Sequence, residues 1–353
     1  MKPKKFTIPV AVFILTLILF SLYRINGIKD QEYSQTFYAL GTVNKVDIYE
    51  MNKSKSEKIL TKCGSILRNI DNEMSTKIAS SEVNKINEKS GESSVKVSDE
   101  TYEVIKRSIE YAKITDGHFD STIGPLSSLW AIGTDEARVP TKDEIDTLLP
   151  LVSYKNVELD DKTSSVKLLK NGMKLDLGAI AKGYAADVVA DYLKSQGVKR
   201  SIVNLGGNLY IIGTKEDGDE FNIGIQDPNR TDGNAIGSIR VSDKSVVTSG
   251  IYERYIEKDG KMYHHLLNPA TGYPYDNNLS SVSIISTKSI DCDALSTSVF
   301  GLGLEDGLKL VNSLDGVDAV VVTNDKKIYL SKGLEGKMKI TNSNYELIGQ
   351  SVD

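Results

Sequence analysis

Apolar and polar positions repeat along the chain in two periods, and these place its elements. Residues 34–50, SQTFYALGTVNKVDIYE, alternate with period two and break at Gly41, which predicts two strands or one bent strand with a kink where backbone approaches a ligand. Ile59, Leu60, Cys63, Ile66, Leu67 and Ile70 then recur at helical spacing and predict a helix ending near Met74. A short helical turn follows from Ser81 to about Asn87. A second long helix, about 99–115, turns Val104, Ile105, Ile109 and Ala112 inward and stops at Asp116 and Gly117. Residues 118–130 read as an ordered loop leading into a short apolar helix, and 134–150 as a surface insertion around another. From Val152 strands return as VSYKNVEL, SVKLL and MKLDL, and a helix spans about 179–193. Strands follow at 201–204, 209–213, 220–226, 236–241 and 246–248. A hairpin joins 252–257 to 262–267, and after a strand at 282–285 come helices at 289–301 and 304–313. Strands at 319–322, 327–330 and 337–340 close the chain. Helices and strands mix without regular alternation, so the fold class is α+β.

Residues 6–23 carry no charge, follow Lys2, Lys4 and Lys5, and precede Arg24. Such a run just crosses a bilayer, with the basic flank holding the N-terminus inside. It is long for a signal peptide, lacks a small-x-small cleavage site and has no nearby cysteine for lipidation. The expectation is an uncleaved single-pass anchor (6–23) after a cytoplasmic start (1–5). A stalk (24–33), an extracytoplasmic domain (34–345) and a tail (346–353) would follow. The net charge of −5 offers no footprint for nucleic acid. Of two cysteines, Cys63 falls on an apolar helix face, and a disulfide with Cys292 is not expected.

Several polar clusters carry candidate chemistry. In LDLGAIAKGYAAD (175–187) an apolar strand-like lead-in meets Gly178 and a helix N-terminus, which suits a phosphate, with Asp176 adding a carboxylate; an ordinary capped turn explains the same pattern. Asn204 to Asn208 bracket two adjacent glycines. Arg254, in a strand after Ser249 and Gly250, can hold a phosphate or pair with Glu253. His264 and His265 point to opposite faces if their segment is a strand, so one faces the core and one is free for proton transfer. Asp293 and Thr297 share a helix face at i and i+4 and form an oxygen-only set suited to Mg²⁺, with helix capping by Asp291 and Asp293 as the plain alternative.

With these segments in order (LGT at 40–42, the stretch from Met74 to Asn87, GHFDSTIGPLSSLW, LDLGAIAKGYAAD, VNLGGN, TSGIYERY, HLLNPATG and DALSTSVF), the chain resembles the ApbE family of flavin transferases. The resemblance implies a T-fold-related mixed sheet with helices. The implied activity is transfer of FMN from FAD to a protein threonine. It places Leu40, Lys77, His118, Phe119, Asp120 and Asp176 at FAD-contacting positions. The carbonyl of Ala179, with Asp293 and Thr297, would hold Mg²⁺. Asp176, Lys182, Ser249, Arg254 and His265 would line the same cleft, with His265 as candidate proton acceptor. Leu40 stands where members commonly carry Met, and Lys77 where they carry Tyr or another flavin-contacting residue. The implied partner is a flavin-accepting subunit of a membrane redox complex. The alternatives are an FAD pyrophosphatase and an anchored protein that binds FAD intact.

Overall fold

The computed structural model describes residues 31–49, 51–229 and 233–348. One sheet takes nine strands in the order in which they occur in the chain: β1 (Glu32–Ala39), β2 (Thr42–Tyr49), β3 (Ser201–Leu205), β4 (Asn208–Ile212), β5 (Ser245–Gly250), β6 (Leu279–Ser286), β7 (Asp318–Thr323), β8 (Lys327–Leu330) and β9 (Glu346–Leu347). Neighbours pair antiparallel, except β8 with β9. Between β2 and β3 the chain inserts α1 (Lys53–Met74), α2 (Glu82–Glu88), α3 (Asp99–Ile114), α4 (Gly124–Trp130), α5 (Lys142–Leu148) and α6 (Ala181–Ser195). Between β6 and β7 it inserts α7 (Ser289–Leu302) and α8 (Leu304–Asn312).

The middle of the sheet, β4 to β7, is buried on both faces. Val247, Ile284 and Val321 pack toward the helices with Leu67, Val189 and Leu295. Their chain neighbours Val246, Ile285 and Val320 pack with Ile223, Ile239 and Met338 around a second, three-stranded sheet (221–226, 235–241, 339–340). Adjacent residues of a strand point to opposite faces, so a strand covered on both sides is apolar throughout its middle, as β7 is.

Several expectations are corrected here. β1 begins at Glu32, so the last residues of the expected stalk belong to the sheet, and β9 takes the first two residues of the expected tail. The expected membrane span, 6–23, lies outside the described residues, among which no helix is long and apolar enough to cross a membrane. The 134–150 insertion is not merely superficial: Ile145 is fully buried with Leu126 and Trp130 in a satellite core. Val139, Leu148 and Leu149 pack half-buried against the same core, and the i, i+3, i+4 set of Ile145, Leu148 and Leu149 is too short to stand out from the polar residues around it. Cys63 and Cys292 are both buried and free.

The lead-in to LDLGAIAKGYAAD is not a strand. It makes a single bridge, Lys174 to Ile123. Its main-chain groups are satisfied otherwise: Asn87 donates from Nδ2 to the Leu175 carbonyl (3.1 Å) and accepts from the Leu175 N–H (2.7 Å), while the Asp176 N–H donates to the Ser121 carbonyl (2.8 Å). The helix after it starts at Ala181, two residues later than its apolar spacing suggests, because 178–180 form a turn.

Candidate active site

The N-termini of α6 and α7 build the centre of the site. Neither helix has a side-chain cap of its own. Asp293, 3% exposed, reaches from α7 to α6, where its Oδ2 accepts from the Gly183 N–H at 2.9 Å. Lys182 lies beside it, its Nζ 3.2 and 3.4 Å from the two carboxylate oxygens and 2.8 Å from the Gly178 carbonyl. The helix end expected to cradle a phosphate thus gives one of its N–H groups to a protein carboxylate. This closeness depends on Gly183, where a Cβ would fall 2.3 Å from the Ser289 carbonyl and 2.7 Å from the Asp293 Cβ.

Thr297 sits one turn beyond Asp293 on the same face. Ser249, at the end of β5, lies 2.8 Å from the Ser296 hydroxyl and 3.4 Å from that of Thr297, and Ser296 donates to the Asp293 carbonyl at 2.9 Å. Ala179 lies in the 178–180 turn, half-buried. Asp176 spans that turn: Oδ1 accepts from the Gly178 N–H (2.9 Å) and Oδ2 from the Ser127 hydroxyl (2.7 Å). The bond to Gly178 closes the 178–180 turn and does not cap α6, which begins at Ala181.

Arg254 and His265 form a second group. Arg254 lies in a turn ahead of the strand Tyr255–Lys258, not within it, and its side chain packs over Gly133. Its carbonyl accepts from the His265 N–H (3.1 Å) and faces His265 Nδ1 at 3.3 Å. Since a carbonyl only accepts, the proton is assigned to Nδ1, and Nε2 is left as the basic nitrogen. Burial, and then the Arg254 guanidinium, hold the His265 pKa down to about 3. His264 turns the other way, into the core against Phe300, with Nε2 2.9 Å from the Tyr275 carbonyl. Glu253 keeps solvent contact, yet protein atoms crowd its carboxyl. That lost hydration, with repulsion from Asp293, lifts its pKa to about 7 against the pull of Lys182 and Arg254.

The remaining predicted positions lie on flanking loops. Leu40 and Gly41 make the two-residue turn between β1 and β2, both left-handed (φ 56° and 68°), and Lys77 Nζ lies 3.8 Å from where a Gly41 Cβ would be. A leucine in this conformation is strained, and such strain is commonest at functional sites. His118 stacks on Tyr275 at 6.3 Å, and the Tyr275 hydroxyl donates to the His118 carbonyl. The Phe119 ring is in the core. Asp120 is saturated by the protein: Oδ1 accepts from the N–H and hydroxyl of Thr122, and Oδ2 from the Tyr154 N–H. Burial still raises its pKa, partly offset by those bonds. What Phe119 and Asp120 do here is hold the loop that carries His118.

A family model described as the ApbE family matches residues 40–321. The chain belongs to the ApbE family. An FAD:protein FMN transferase of Klebsiella pneumoniae (strain 342) is 38% identical over 316 residues, 90% of this chain and 97% of that protein. One of Treponema pallidum (strain Nichols) is 33% identical over 332 residues, 90% and 91% of the two. The fold is similar to the crystal structure of the ApbE protein from Thermotoga maritima, with a TM-score of 0.79 and 36% identity over 87% of this chain and 99% of that one. The flavin transferase ApbE from Vibrio cholerae has a TM-score of 0.78 and 27% identity over the same shares. Within this ApbE frame, sequence reading missed Gly183, Ser127 and Ser296 as parts of the site. It read Glu253 only as an ion-pair partner. A glycine near a helix start was the one visible signal.

Proposed function

We propose that this chain is an FAD:protein FMN transferase that moves FMN from FAD to a threonine hydroxyl of a target protein, with release of AMP and dependence on Mg²⁺. The observation that carries the reading is Asp293 meeting the Gly183 N–H and the Lys182 ammonium at the start of α6. The seat suits a hard divalent cation on its own chemistry. Among the described residues no three of His, Cys, Asp and Glu converge as a metal cluster. The donors on hand are one carboxylate, the Thr297 hydroxyl and main-chain carbonyls of the 178–180 turn, and an ammonium already sits among such oxygens. Asp293, Thr297 and the Ala179 carbonyl would hold the ion, which offsets charge on a diphosphate when bound.

The chain's own groups supply the rest. Lys182 and Arg254 bring positive charge to the diphosphate, and the Leu40 turn with the His118 loop shapes the approach of the flavin. The threonine oxygen attacks the FMN-side phosphorus, the bond to the AMP phosphate breaks, and AMP leaves with that bridging oxygen. His265 Nε2 takes the hydroxyl proton. Burial, and then the charges of Arg254 and Lys182, keep this imidazole neutral, and a bound diphosphate would counter those charges and so strengthen it as a base. The acceptor in this proposal is a subunit of a membrane redox complex. The domain works outside the cytoplasmic membrane, held by residues 6–23.

The test incubates the full chain with FAD, Mg²⁺ and a candidate acceptor and follows AMP and in-gel flavin fluorescence. AMP with a fluorescent acceptor supports transfer. AMP with no labelled acceptor means hydrolysis instead, and bound FAD with no AMP overturns the enzyme reading. Asp293→Ala should lower the Mg²⁺-dependent rate about a hundredfold or more, the scale of losing one preorganised electrostatic group.

A further inference from the structure

α6 and α7 cap each other. Asp293 of α7 accepts from the Gly183 N–H in the first turn of α6. Asp187, one turn further along α6, answers with both its oxygens: Oδ1 accepts from the Ser289 N–H at 2.8 Å and Oδ2 from the Ile290 N–H at 2.9 Å, the first two residues of α7. The two helices thus run antiparallel with overlapping N-termini, and at Gly183, the donor of the first of these three bonds, the Ser289 carbonyl passes too close for any side chain.

A serine or asparagine would cap a helix without cost. Asp187 is a carboxylate that is 7% exposed, and burial pushes its pKa up to about 6, its two N–H bonds and Lys288 pulling it down and Asp291 adding to the rise. A charge held in the interior at neutral pH costs stability relative to a neutral cap. What it adds is a second acceptor. One bond fixes where α7 begins; two bonds to successive N–H groups also fix its rotation about its own axis. That rotation decides where Asp293 and Thr297, one and two turns on, point. Ser245 also bonds Ser289, side chain to side chain at 2.8 Å, but it ties α7 to the sheet and not to α6.

We infer that Asp187 is the positioning residue of the metal seat, setting the rotation of α7 so that Asp293 and Thr297 face the 178–180 turn. This inference rests on the proposed Mg²⁺ site, and Asp187 itself touches neither ion nor substrate. The test measures Mn²⁺ binding to the full chain by electron paramagnetic resonance, without FAD and without turnover, beside thermal unfolding. Asp187→Asn replaces one acceptor with a donor facing an N–H group, and Asp187→Ser keeps a single short neutral acceptor; the second variant serves if the first does not fold. Either should weaken Mn²⁺ binding tenfold or more. The control is Asp227→Asn, a carboxylate 2% exposed that accepts from the Asn229 N–H and the Tyr345 hydroxyl away from these helices. It should lower Tm and leave Mn²⁺ affinity unchanged. Asp187 variants that lose Tm like the control while binding Mn²⁺ as the wild type does overturn the inference alone. A wild-type chain that takes up no Mn²⁺ overturns the metal reading and this inference with it.

Discussion

His265 shows how much of this site is set by one side chain's surroundings. Its pKa, held down to about 3, lies far below the ordinary value of 6.5. The unfolded chain therefore binds a proton through pH 6.5 to 3 that the native protein refuses. For a depressed pKa the stability contribution is complete above pH 6.5 and is lost as the pH falls toward 3. His265→Asn removes the group from both states, so the variant should gain on the wild type as the medium is acidified, by at most about 1.4 kcal/mol per pH unit. Unfolding curves for both proteins at pH 7.5 and 4.5 measure the effect, and an unchanged difference would mean that the ring is not held neutral. Asp120 makes the complementary point. The family resemblance makes it an FAD contact, while three bonds from Thr122 and Tyr154 already occupy its carboxylate.

The contact between α6 and α7 turns on one missing side chain. Alanine is the better helix former by about 1 kcal/mol, but at position 183 its Cβ would meet a main-chain carbonyl at 2.3 Å, which no rotamer can relieve. The steric effect should win. Gly183→Ala is expected to lower stability by about 1–3 kcal/mol, read by chemical denaturation, and to weaken Mn²⁺ binding as the helices part. The pairing of Asp293 with Thr297 was legible in the sequence because it is local, four residues along one helix. The role of Asp187 was not, since its partners lie 102 and 103 residues away and nothing local marks them. Met173, Leu175 and Leu177 read as a strand for a related reason. All three are buried at alternate positions, as in a strand, but the main-chain bonds of Leu175 go to the Asn87 side chain and that of Asp176 to the Ser121 carbonyl. Burial pattern was visible and hydrogen-bond partner was not.

On the scale of the molecule, the two-sided sheet puts both thiols out of reach. Cys63 lies on the buried face of α1 and Cys292 on that of α7, each 0% exposed, and burial pushes the Cys63 pKa up to about 12. A reductant should leave Tm unchanged, and a thiol reagent should label neither cysteine until the protein is unfolded; labelling of the native protein would contradict this packing. The α+β class and most strand positions could be read from period alone, because a sheet covered on both faces leaves long apolar runs. The satellite core around Trp130 could not, being built from Leu126 and Trp130 of α4 and Ile145 of α5, two short helices whose mutual packing no local period reveals. Trp130 is the only tryptophan in the chain and is fully buried. Its indole N–H donates to the Gly272 carbonyl at 2.8 Å, midway along the loop that begins at His265. The protein therefore carries a single tryptophan, excitable apart from its seventeen tyrosines and fastened to the loop that follows His265. Flavin absorbs where tryptophan emits, so FAD added to the unlabelled chain should dim one lamp at one known place, and the titration curve would report occupancy directly.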